Sequence, residues 1–287
     1  ECNQTAFNEG VDLIFAYSII HSMIWRTLKY NKIQVDLKLT YHSGLKYLFV
    51  GYYKQFNKKY RNHSLNALAK PYSLFLCGLN FMASFIIKIV IFADLMDIKN
   101  KEIEKVSVFN CEFNDLFKTF HDDNPNIITY KRDIDYLNWR FNNNQYLKYS
   151  FRVDDALAGY IILNKDESDL TPNSYTVVDC VILDEYLNYT PVFFRQLTKV
   201  KCLSIKFTHY LSCDYSRKLH KACLRQGYAF TINPFRCFLP GKNKQQEQHL
   251  YYKVSSSANL NDKQKEEFQN NNWFLTPIFF CPKYYPN

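Results

Sequence analysis

Glycine is scarce in this chain: there are seven in 287 residues, and none lies between Gly159 and Gly227. Phosphate-cradling loops use glycine so that backbone N–H groups can close on an anion, and nothing in the sequence resembles a nucleotide-hydrolysing loop or a dinucleotide fingerprint. Cysteine pairing is absent too. Nine cysteines are present without a single C-x-x-C pair, and several sit inside apolar runs, so neither a zinc site nor a disulfide framework is expected. That pattern predicts a reducing, cytoplasmic setting and no bound metal. The chain has no initiator Met, and its opening "ECNQTAFNEG" lacks the charged start and apolar core of a signal peptide. It reads as a piece of a longer protein.

Acidic residues are outnumbered, 27 Asp and Glu against 36 Lys and Arg, which gives a formal +9. This favours phosphates, coenzymes, nucleic acid or an anionic membrane surface as partners. The cations read as scattered, without an arm or stripe, so nucleic acid is not the expected partner. Only one long apolar run occurs, residues 72–96, entered through Lys70 and Pro71. About 20 apolar residues suffice to span a bilayer. This run carries Ser73, Asn80, Ser84 and Lys88, and a charge near the centre costs about 2.5 kcal/mol on insertion. The reading is an amphipathic helix against protein or, peripherally, against a membrane.

What the chain does have is apolar and aromatic mass, 47% and 17% of its residues, enough for substantial cores. Strand, helix and strand are predicted over 11–18, 19–30 and 32–39. A helix is predicted over 112–123. Strands follow at 149–153 and 158–163, joined by a hairpin turn at "DDAL", and a third runs from Ser174 to Leu183. A helix then opens with Thr190 as N-cap and Pro191 at its first position. Strand 202–207, helix 214–226 closed by Gly227, strand 228–232 and strand 249–255 complete the order. An antiparallel first half followed by helix-crossed strands makes an α/β mixed sheet.

The stretch "RDIDYLNWRF", Arg132 to Phe141, adds a motif to this order. Asp133 or Asp135 is placed to cap a short helix, Tyr136, Leu137 and Trp139 to pack it across the sheet, and Arg140 to reach a cleft or a carboxylate. With Gly159-Tyr160 behind it and "NNWFLTP" at 271–277, the segment resembles the GNAT (N-acetyltransferase) superfamily, in the tandem-unit bacterial branch whose genes accompany surface polysaccharides. The resemblance implies a GNAT-like mixed sheet flanked by helices over 104–287, an apolar helical linker over 71–103, and the C-terminal part of a first, truncated GNAT-like unit over 1–70. A weak repeat between 11–33 and 202–232 agrees with two units.

The resemblance also implies an activity: transfer of an acyl group from acetyl-CoA or another acyl-CoA to an amino sugar or related amine, a small-molecule or glycan acceptor. It makes Asp179 the candidate base and Cys223 the occupant of the position that holds a proton-donating tyrosine. It assigns Val181, Ile182, Leu183, Thr190, Arg195 and Ser216 to the coenzyme, and Arg140 with Tyr136 to the acceptor. Two departures bear on it. The expected pyrophosphate turn, "DEYLNYTPVF", carries Asp184 and Glu185 in place of glycines. A thiol at Cys223 is a poor substitute for a phenol. Two alternatives stay open: a catalytically inactive GNAT-like module binding a glycan or partner enzyme, and a Fem-type transferase taking aminoacyl groups from tRNA, which the net charge permits.

Overall fold

The computed structural model describes residues 13–18, 31–33, 37–42, 49, 53, 68–90, 101–165, 174–199, 204–211, 213–225, 229–230, 249–254, 273, 274 and 276. The expected helix 19–30, the Gly227 cap and the polar loop before residue 249 lie outside them. In chain order the elements are β1 (Leu13–Ser18), β2 (Asn31–Ile33), β3 (Leu37–His42), α1 (Ala69–Val90), β4 (Lys101–Lys105), α2 (Glu112–Asp123), α3 (Ile134–Arg140), β5 (Tyr146–Val153), β6 (Ala156–Lys165) and β7 (Ser174–Ile182). After them come a 3₁₀ segment (Asp184–Tyr189), α4 (Thr190–Lys199), β8 (Ser204–Leu211), α5 (Asp214–Arg225), β9 (Ala229–Phe230) and β10 (His249–Val254).

Seven strands form a mixed sheet in the order β4-β5-β6-β7-β8-β3-β9. β4 through β7 are antiparallel neighbours, and β7 and β8 are parallel. This is the α/β mixed sheet expected, antiparallel in its first half and helix-crossed after it. The β5–β6 connection is a two-residue turn, Asp154 and Asp155 at φ 49° and 67°. Positive φ at both positions suits the right-handed strand twist, and aspartate tolerates it better than most side chains. β4 had no clear signal: Lys101–Lys105 reads "KEIEK", a charged edge strand held to β5 by main-chain pairing.

Helices cover both faces. α2 turns Phe113, Leu116, Phe117 and Phe120 inward, and Phe113 lies 6.0 Å from the Tyr160 ring. On the opposite face Phe151 stacks on Phe193 of α4 at 4.4 Å and 1°. The faces follow from alternation, since Phe151 pairs with Gly159, the residue before Tyr160. Gly159 has a steric reason as well: a Cβ there would meet Val181 O at 2.4 Å and Ile182 Cα at 2.9 Å.

The expected strand 32–39 divides into two strands of different sheets. β2 joins β1 and β10 in a three-stranded sheet, while β3 pairs antiparallel with β8 and with β9. Both sheets therefore mix strands from before residue 43 with strands from after residue 203. Tandem units divided at residue 70 would have to exchange strands. α1 covers 69–90 of the expected apolar segment, and no helix of the described residues is long and apolar enough to cross a membrane.

Candidate functional site

Among the described residues, β7 and β8 pair at three positions, Ser174 with Ser204, Tyr175 with Ile205 and Thr176 with Lys206. Beyond these, β7 stays on β6 through Ile182, and β8 follows β3 through Leu211. The parallel pair therefore opens into a gap. Strand backbone facing such a gap must find other partners, because a buried unpaired N–H or C=O is costly.

Tyr215, the second residue of α5, supplies them. Its Oη accepts from Ile182 N at 3.0 Å and donates to Ile182 O at 2.8 Å. The next residue turns the other way, with Leu183 N donating to Ala158 O at 2.9 Å, as strand alternation requires. The Tyr215 ring is fully buried and is met edge-on by Phe120 at 4.9 Å and Phe274 at 4.8 Å. Burial pushes the phenol well above the ordinary tyrosine value.

Asp179, on the same stretch of β7, is fully buried and committed. It accepts from Arg132 Nε at 3.2 Å and Nη2 at 3.3 Å, and from Tyr160 Oη at 2.7 Å. Arg132, also fully buried, donates further to Thr129 Oγ1 at 2.5 Å and to Tyr130 O at 3.3 Å. Its guanidinium lies 3.8 Å from the centre of the Tyr130 ring and 5.1 Å from that of Phe274. A carboxylate matched by a planar fork and a phenol is a structural pair, and acting as a base would require it to leave both. The first residue of the "RDIDYLNWRF" stretch thus ties the loop before α3 to the central strand.

The remaining expected site residues disperse. Cys223 is 1% exposed, and desolvation raises its thiol, which weakens it as an acid. Ser216 is absorbed in the first turn of α5: its Oγ accepts from Cys213 N at 3.0 Å and donates to Cys213 O at 2.6 Å. Thr190 is not an N-cap. The 3₁₀ segment runs directly into α4, Thr190 is helical at φ −46° and ψ −42°, and its N–H bonds Leu187 O. Helical N–H groups therefore first become available beside Asp184 and Glu185. Asp184 is held by Lys218 and by Asn124 Nδ2 at 3.2 Å. Val181, Ile182 and Leu183 have buried side chains at the gap, whereas Arg195 is exposed on α4.

In α3, Asp133 is the cap, accepting from Tyr136 N at 2.9 Å. Leu137 and Arg140 are buried, but Trp139 is 60% exposed, against the expectation that it packs across the sheet. A seven-residue helix has little more than one inward side, and Leu137 takes it. The half-buried Tyr136 ring lies 5.0 Å from Tyr130, which in turn faces Arg132. From the closing Trp segment, Trp273 is fully buried, bridges Ile128 in parallel, and leads into Phe274, whose N–H donates to Ile128 O at 3.0 Å.

Two site residues escaped sequence reasoning. The Arg132–Asp179 link had a signal: a lone aspartate inside "SYTVVDCVI" demands a buried partner, and an arginine is the residue that best supplies two parallel donors. Tyr215 had none, because its partners are backbone atoms.

No protein-family model matches the chain, and no curated protein matches it. Among solved structures, a GCN5-related N-acetyltransferase from Anabaena variabilis superposes with a TM-score of 0.41 at 12% identity, over 88% of this chain and 48% of the other. This chain thus spans about half the length of that protein. A functionally unknown conserved protein from Staphylococcus epidermidis gives a TM-score of 0.37 at 10% identity, over 87% and 75% of the two chains. A spermidine N-acetyltransferase chimera from Vibrio cholerae gives 0.29 at 11%, over 58% and 98%.

Proposed function

We propose that this protein is a GNAT-type N-acyltransferase, which carries an acyl group from acetyl-CoA or another acyl-CoA thioester to the amine of an amino sugar or related acceptor in surface glycan assembly. The observation that supports it is the opening of β7 from β8 after three pairs, with the Ile182 N–H and C=O directed into the gap. A pantetheine amide offers one donor and one acceptor, the same complement that the Tyr215 phenol provides to Ile182. An arm laid along β7 would therefore replace the phenol group for group.

The other end of the donor is less well served. Asp184 and Glu185 stand at the helical start where a pyrophosphate would bind, and Lys218 offsets only one of them. In this reading neither Asp179 nor Cys223 moves a proton. The neutral amine attacks the thioester carbonyl, the C–S bond breaks to release the CoA thiolate, and the proton lost by the nitrogen passes through water to that thiolate, while Arg132 with Asp179 keeps the central strand in place.

One observation favours a second reading, a GNAT-like module that binds its partner without catalysis: the chain's own phenol already satisfies the strand edge. Isothermal titration with acetyl-CoA and longer acyl-CoAs separates the two. Heat of binding that strengthens in Asp184→Asn/Glu185→Gln is the transferase outcome. Silence in the wild type, in that variant and in Tyr215→Phe would leave only the module.

A further inference from the structure

Charge is segregated along this chain in a way the total conceals. Between Leu37 and Ala93 there are eight Lys and Arg and no Asp or Glu, so this stretch holds +8 of the formal +9. The cations are spread as evenly as expected; the acids are what is missing here. Lys58, Lys59, Arg61 and Lys70 stand just ahead of and within the first turn of α1, and Tyr52, Tyr53, Phe56 and Tyr60 are interleaved with them.

α1 itself turns an apolar face outward. Ser73, Leu76 and Cys77 are buried, while Leu74 and Phe75 are each 63% exposed, Met82 55%, and Leu68 and Leu79 52%. Leu68, Phe75, Leu79 and Met82 fall at steps of seven, four and three, which is one stripe of a helix. A stripe of large apolar side chains kept in water marks a surface that something else covers.

We propose that α1 and the acid-free stretch around it seat the protein on an anionic bilayer surface. The Leu74, Phe75, Leu79 and Met82 side chains enter the interfacial layer, and the flanking lysines and Arg61 meet the headgroups. Apolar residues on one side with Lys and Arg beside them are the composition of helices that lie in an interface. One side of α1, at Ser73, Leu76 and Cys77, is buried against the protein, so the helix has a single apolar face to lay on the surface. An RNA backbone would account for the lysines but leave the leucines and Phe75 in water, so the membrane explains both halves of the pattern. This inference stands independently of the proposed acyl transfer.

The test is flotation of the full chain with vesicles of phosphatidylcholine alone and of phosphatidylcholine mixed with phosphatidylglycerol, at low and high salt. Binding to the mixed vesicles only, weakened by salt, is expected. Lys58→Gln/Lys59→Gln/Arg61→Gln weakens it about a hundredfold, at roughly 1 kcal/mol for each headgroup contact. Phe75→Ser/Leu79→Ser abolishes it with cooperative thermal unfolding retained. If that double variant does not fold, Leu74→Ser and the charge variant give the same reading. No flotation with anionic vesicles, or flotation indifferent to the serine substitutions, overturns the proposal. Binding to poly(U) in place of vesicles overturns it in favour of nucleic acid.

Discussion

The Tyr215 phenol holds Ile182 twice, accepting from its N–H at 3.0 Å and donating to its carbonyl at 2.8 Å. One side chain from α5 thus closes the strand edge that β8 leaves when it turns to β3. Tyr215→Phe keeps the ring between Phe120 and Phe274 but removes the hydroxyl that partners both the N–H and the carbonyl of buried Ile182. Leaving such groups unsatisfied costs about 1–3 kcal/mol. The urea midpoint of Tyr215→Phe is therefore expected to fall with an unchanged slope. A midpoint equal to the wild type would mean that the phenol does not secure the edge.

The Arg132–Asp179 pair predicts that the double variant is more stable than either single one. Removing one partner leaves a charge in a dry interior, which costs about 3–5 kcal/mol, whereas replacing both with apolar residues of similar volume is often neutral. Arg132→Met and Asp179→Leu are each expected to be strongly destabilising, and the double variant to recover most of the loss. Additive losses in chemical denaturation would show that the two side chains do not act as a pair.

Legibility followed the kind of partner each residue has. α2 and α5 were readable because helical spacing declares a buried face, and β6 because a short apolar run follows a turn; their observed ends, and those of β10, lie within two residues of the reading. The Asp133 cap was readable because the side chain that caps is in the sequence beside the turn it caps. β4 was not, since an edge strand held by main-chain pairing needs no apolar pattern. β2 and β3 could not be assigned to separate sheets, because their partners, β10 and β8, lie more than 160 residues on. Thr190 and Pro191 look like a helix start. The neighbouring 3₁₀ turn, closed by the Thr190 N–H on Leu187 O, absorbs that signal, because its main-chain bonds leave no side-chain pattern.

Stability is expected to fall in alkali. Burial raises the Tyr130, Tyr160 and Tyr215 phenols and the Cys180 and Cys223 thiols above their ordinary values. In the unfolded chain thiols lose protons near about pH 8.5 and phenols near about pH 10. Above those values the folded state holds more protons than the unfolded one, so these contributions are complete below about pH 8.5 and decline as pH rises. Lys148 has the opposite sign. Burial lowers its value while it donates to Ser107 O at 2.5 Å and Phe141 O at 3.2 Å, so its penalty is relieved as pH rises. One amine does not offset five acids. Urea midpoints should hold from neutral pH to about pH 8.5 and decline beyond it, steepest above about pH 10, and a profile flat to above pH 10 would contradict the burial of these groups.

The chain's tryptophans at 139 and 273 offer opposite outcomes from one substitution. Trp273 is fully buried in the bridge to Ile128, and truncating a large buried aromatic costs about 3–5 kcal/mol. Trp139 is 60% exposed, with its ring 6.0 Å from Tyr136, and surface changes of this kind stay within about 0.5 kcal/mol. Trp273→Ala should therefore lose most of the cooperative thermal transition, and Trp139→Ala should keep it. The motif reading had assigned Trp139 to the core, so this pair also decides whether the tryptophan of "RDIDYLNWRF" serves the fold or the solvent-facing side of α3. A large loss in Trp139→Ala would return it to the core.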